Sequence, residues 1–129
     1  MDTVSNLSKL EFEVLQALLD NEDSRISFLK EQVKGISVIK RSISDAGLLL
    51  EFRVSNDCAP SIRVLDLIIS GVEVTVPNLE FGIGFALFVE NGLLKAMEGF
   101  TYEEAWPKSI SKFRIRKEGY KIEQRTRRN

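Results

Sequence analysis

Leu79-Glu80-Phe81-Gly82-Ile83-Gly84-Phe85-Ala86-Leu87-Phe88-Val89-Glu90-Asn91-Gly92-Leu93-Leu94-Lys95-Ala96-Met97-Glu98-Gly99-Phe100 is the stretch that decides the fold. Leu79, Phe81, Ile83, Phe85, Leu87 and Val89 recur at every second position, the period of an extended chain with one buried face. Asn91-Gly92 supplies the two residues that tolerate positive φ in a two-residue hairpin turn. Leu93 to Phe100 is the return strand. The spacing predicts a hairpin over 79–100, in which Glu90 faces Leu93, Val89 faces Leu94, Leu87 faces Ala96 and Phe85 faces Glu98.

Outward from the hairpin, the chain reads as helices before it and short strands on either side. Ser8 and Glu11 have capping-box spacing, and Leu7 and Phe12 have that of a hydrophobic staple. Leu10, Val14, Leu15, Leu18 and Leu19 continue from them as a stripe at helical period. Asp20 to Ser24 interrupts this helix and caps a second, shorter one carried by Ile26, Leu29 and Val33, with Gly35 expected at its C-terminus. Residues 36–44 make an irregular strand in which a bulge near Val38 is expected. Asp45-Ala46-Gly47 is a turn, and 48–54 alternate cleanly. Apolar runs at 62–69 and 72–76 break at Ser70-Gly71. Phe113 and Ile115 alternate with Arg114 and Arg116 in a last strand. The expected architecture is α+β: two N-terminal helices packed on one face of an antiparallel β-sheet meander. Residues 1–118 form its single domain, and 119–129 are a basic C-terminal tail.

Composition narrows the chemistry. The 129 residues are 43% hydrophobic and 29% charged, in the range of a globular domain with an ordinary core. There is no histidine, which removes the commonest general base and the commonest metal ligand together. Cys58 is the one cysteine, so no disulfide forms within the chain, and a lone thiol fits a reducing compartment. Asp57 beside it disfavours the thiolate. No Walker A motif, G-x-G-x-x-G or EF-hand loop occurs. The expectation is a cytoplasmic protein that is not an enzyme and has no cofactor, no metal site and no membrane span.

The net charge of −1 hides a split. Residues 1–107 hold nine Lys and Arg against seventeen Asp and Glu, a net of −8; residues 108–129 hold nine against two, a net of +7. The end is read either as folding back on an acidic body or as an arm for an acidic partner such as nucleic acid. Only Tyr120 is available there for stacking on bases, so nucleic acid is the weaker reading.

Two sets of residues stand out as candidate sites. In the expected register Glu98 shares a face with Phe85 and Leu87, and a desolvated carboxylate marks a functional-site candidate. A position at the sheet rim, or a bulge permitted by Gly99, would turn it outward instead. The opposite face, with Gly84 across from Gly99 and Gly82 nearby, is a strip almost without side chains. Gly82, Gly84, Glu98 and Gly99 are therefore a candidate groove. Phe100, Tyr102, Glu103, Glu104 and Trp106 are a candidate interface of aromatics with a charged rim. The competing reading of that segment makes Trp106 a core plug and Glu103-Glu104 a turn.

Phe88-Val89-Glu90-Asn91-Gly92, then Glu98-Gly99-Phe100-Thr101-Tyr102, then Trp106-Pro107 resembles a pattern of small bacterial proteins of about this length. In these an apolar strand, a turn and an L-E-G-F-T-Y segment are closed by Trp-Pro; here Met97 stands in the first position of that segment. In size and acidity the chain also resembles immunity proteins that neutralise a toxin. The resemblance implies a non-enzymatic protein that binds another protein, with a basic partner expected for an immunity-type inhibitor. The alternatives are a small-ligand binder or enzyme built on Glu98 beside the glycine strip, and a nucleic-acid binder using residues 108–129.

Overall fold

The computed structural model describes residues 6–55 and 65–125. Helix α1 (Lys9–Leu18) begins as the sequence dictates: the Ser8 hydroxyl accepts the Glu11 amide at 3.1 Å, and the Glu11 carboxylate accepts the Ser8 amide at 2.8 Å. Its buried side is Leu10, Glu11, Val14, Leu15 and Leu18. The second helix expected from Ile26 to Val33 is instead divided into α2 (Ser24–Ser27), α3 (Leu29–Gln32) and a 3-10 turn (Val33–Gly35). Asp23 caps α2 by accepting the Arg25 amide. The Arg25 side chain also donates to that carboxyl and holds it down at about 2. Gly35 ends the run inside the 3-10 turn, without the left-handed backbone expected of it.

Six strands follow: β1 (Ile36–Ile43), β2 (Gly47–Val54), β3 (Leu67–Thr75), β4 (Ile83–Glu90), β5 (Leu93–Thr101) and β6 (Arg114–Gln124). They form one antiparallel sheet in the order β1-β2-β5-β4-β3-β6, which corrects the expected meander. The hairpin β1–β2 adds to β5 rather than to β3, and the chain returns after β5 to place β6 beside β3. Both long connections cross two strands, a non-local choice that no single segment's periodicity specifies. The fold class is α+β. In it α1 lies against β3, β4 and β6, and α3 against β5. No helix among the described residues is long and apolar enough to cross a membrane.

The core is one cluster. Val14, Leu15 and Leu18 of α1 and Ile26 and Leu29 of α2 and α3 join Leu50, Ile69, Val72, Ile83, Phe85, Leu87 and Met97 of the sheet, all fully buried. Bulges adjust the ladders at three places. One is near Val38, as expected from sequence. A second is at Gly71, whose positive φ joins the two apolar runs into the single strand β3. A Cβ at Gly71 would overlap the Tyr120 backbone, so β6 can pair there only with a glycine. The third lies in β5, where Phe88 faces Ala96 and Val89 faces Leu94, leaving Lys95 as the extra residue.

Two expectations change with β4 and β6. The hairpin starts at Ile83, because Gly82 has φ +74 and turns the chain, leaving Phe81 outside the strand and exposed. The tail expected from residue 119 is strand through Gln124: Ile122 stands opposite Ile69, and the Tyr120 hydroxyl donates to the Leu18 carbonyl at 2.6 Å. Lys117 donates to the Asp20 carbonyl. Its ammonium lies 4.3 Å from the Tyr120 ring centre. Helix α1 has no basic residue in its last turn, so β6 provides the cation and the donor that its C-terminal carbonyls require.

Candidate functional site

The turn at Asn91-Gly92 forms as expected, with φ of 55° and 74° and Glu90 opposite Leu93. Beyond it the Lys95 bulge shifts the register by one. Glu98 faces Ala86 rather than Phe85, so its side chain leaves the core face and is exposed. This corrects the expected desolvated carboxylate. The bulge is fixed from a distance. Gln32, 1% exposed, donates to the Gly92 carbonyl at 2.8 Å and accepts the Leu94 amide at 2.9 Å. Those two bonds hold the first turn of β5 in the bulged register.

The same shift dismantles the glycine strip. Gly99 falls opposite Phe85 on the core face, where a Cβ would collide with the Phe85 and Trp106 rings. Gly84 falls opposite Phe100 on the second face, and the Phe100 ring and Tyr102 hydroxyl fill the space a Cβ would need. Gly82 serves the turn before β4. The four groove residues therefore do not line one groove.

The aromatic segment is split across the sheet. Phe100 and Tyr102 meet edge to face on the second face, with ring centres 5.6 Å apart. The Tyr102 hydroxyl donates to Glu73 at 2.8 Å. Burial and the Glu73 carboxylate push Tyr102 up to about 12. Trp106 packs against the core on the opposite side, over Gly99. Glu103, with φ 61°, turns the chain so that the Glu104 carboxylate accepts the Glu80 and Phe81 amides at 3.0 and 3.1 Å. Glu104 thus tethers the loop before β4, and Glu103 alone of the pair is exposed.

What the structure does bring together is the lower end of the β1–β2 hairpin. Five large apolar side chains are exposed among the described residues, and three are on this hairpin: Ile39 at 52%, Ile43 at 62% and Leu49 at 37%. Two shallow depressions flank its tip, and both are lined by Ile43 and Leu48. One, of about 340 Å³, lies where Leu49, Glu98, Gly99 and Phe100 meet Ser42 and Gly47. The other, of about 270 Å³, lies under the start of α1, between Leu10 and Trp106, Ile110 and Phe113. Sequence reading named Phe100, Glu98, Gly99 and Trp106 but missed Ile43 and Leu49. The signal available was the irregular phase of 36–43, which leaves isoleucines that cannot all be buried. A broader open cleft of about 990 Å³ runs over α1, lined by Phe12, Ala17, Val33 and Ile115 with Glu13, Lys30 and Lys34.

The basic end carries less free charge than its composition suggests. Arg116 pairs with Glu118 at 2.6 Å, and Lys121 lies 3.7 Å from Glu123. Arg116 also stands opposite Glu73 in the ladder. Among the described residues no cluster of three or more His, Cys, Asp or Glu is placed to hold a metal ion. Cys58 lies outside the described residues. No family model, curated protein or solved structure matches the chain.

Proposed function

We propose that the protein is a non-enzymatic, cytoplasmic bacterial interaction protein that binds a basic protein partner through the lower end of the β1–β2 hairpin, in the manner of an immunity-type inhibitor. The observation that carries the reading is the concentration of exposed apolar side chains there: Ile39, Ile43 and Leu49. Ile43 pairs with Leu48 and Leu49 with Ser42, so the exposed apolar groups stand on both faces of this sheet edge, and Ile43 lines the depressions on either side of the tip. Exposed apolar groups with a polar rim are the usual mark of a protein contact. The helices are taken as one layer on the Phe85 side of the sheet, which leaves Leu49, Glu98 and Phe100 on a face free to receive a partner. Asp45, Glu98 and Glu103 are the exposed carboxylates nearest Leu49 in sequence and register, against Lys40 on β1, and their excess favours a positively charged partner on the Leu49 side; Lys9 and Lys108 lie on the Ile43 side. The test is capture of a partner by the wild-type chain and its loss from an Ile43→Asp, Leu49→Asp variant that remains folded.

A further inference from the structure

We propose that the depression under the first turn of α1 is a binding site for a small organic anion with an apolar body, such as a short acyl or arylalkyl carboxylate. This site adjoins the partner surface proposed above, sharing Ile43 with it, and goes beyond that reading. Its wall is apolar: Leu10, Leu48, Trp106, Ile110 and Phe113, with the exposed Ile43 at its edge. Its volume of about 270 Å³ is just below the range of drug-sized pockets, roughly 300–1,000 Å³, which limits the ligand to a small molecule.

The charge around the depression selects the sign of the ligand. Three charged groups line it: Lys9, Lys108 and Glu11. Glu11 is already neutralised, because the Arg41 guanidinium donates to its two oxygens at 2.6 and 3.1 Å. Lys9 reaches Glu13 only at 4.0 Å and is 81% exposed, so its ammonium is available. Two lysines therefore stand beside an apolar hollow whose one carboxylate is satisfied, with Ser109 and Ser111 also in its lining. A carboxylate head would sit between the lysines, and its apolar body would cover Trp106 and Ile110.

Trp106 is the single tryptophan of the chain, so its fluorescence reports occupancy directly. Octanoate is the probe and octyltrimethylammonium its opposite in charge. The expected result is a saturable change in Trp106 emission with octanoate at millimolar concentration and none with the ammonium compound. A Lys9→Gln, Lys108→Gln variant should bind octanoate about tenfold more weakly, since charge-assisted contacts are lost, with its urea midpoint unchanged. The absence of a saturable change with octanoate would overturn the proposal. So would equal response to both probes, or unaltered affinity in the lysine variant.

Discussion

Ile43 stands directly across the β1–β2 ladder from Leu48, yet Leu48 is 6% exposed and Ile43 is 62% exposed. Leu48 also faces Gly99 of β5, next to Trp106, whereas β1 is the sheet edge and no strand pairs beyond it among the described residues. The difference separates stability from recognition along one pair. Leu48→Ala should destabilise the fold by about 2–5 kcal/mol, the cost of a large buried truncation. Ile43→Asp should stay within about 0.5 kcal/mol of wild type. Urea unfolding of the two variants measures both.

Gln32 should behave as a register lock. Gln32→Leu keeps the volume but leaves the Gly92 carbonyl and the Leu94 amide without their partner, at a cost of about 1–3 kcal/mol for a buried unsatisfied group. Hydrogen exchange should show lost protection at Leu94, with protection at Leu50 retained. Unchanged protection at Leu94 would show that the Lys95 bulge does not depend on Gln32.

Helix α1 and strand β1 are joined by Glu11 and Arg41, with the Glu11 side chain 7% exposed and that of Arg41 35% exposed. Arg41→Met strands a nearly buried carboxylate. The cost should be roughly 1.5–3 kcal/mol, below the 3–5 of a fully buried pair because water reaches Arg41. Adding Glu11→Gln, which removes the charge but keeps an acceptor for the Ser8 amide, should recover part of the loss, and a double-mutant cycle in urea would show it.

How far the sequence could be read follows from where each determinant lies. Ser8 and Glu11 are three residues apart and Asn91 and Gly92 adjacent, so the helix start and the hairpin turn were legible. The Lys95 bulge decides which way Glu98 points, and the backbone beside it is bonded to Gln32, some sixty residues away. No local pattern carries that information. The strand status of 119–124 was hidden in the same way. Its polar residues read as a tail, but Tyr120 and Ile122 are held by Leu18 and Ile69 from distant segments. Ile43 was missed as a site residue because exposure at a sheet edge depends on strand order, which periodicity does not encode.

Both tyrosines of the chain should titrate late. Burial and Glu73 push Tyr102 up to about 12, and burial with Asp20 and Asp23 raises Tyr120. In the unfolded chain both release their protons near the ordinary value of about 10. At Tyr102 the folded state therefore binds more protons between about 10 and 12. The contribution of Tyr102 is fully present below about 10 and is lost as pH rises through about 12. Near-ultraviolet titration of the folded protein should show one tyrosine ionising near 12, and Tyr102→Phe should remove that step. Ionisation of both tyrosines together near 10 in the folded protein would contradict the contacts described.

If the β1–β2 hairpin end is the partner surface, quantitative capture from the source cell reveals it. Three tagged baits are compared: wild type, Ile43→Asp with Leu49→Asp, and Phe81→Asp as an equally exposed apolar control away from the hairpin. One basic protein should be retained in stoichiometric amount by wild type and by the Phe81 variant. Its association rate should fall as salt rises, since steering is screened over about 10 Å at 0.1 M. The hairpin variant, folded by circular dichroism, should lose that protein. Retention of the same partner by the hairpin variant, or its loss from the Phe81 variant alone, would contradict the account.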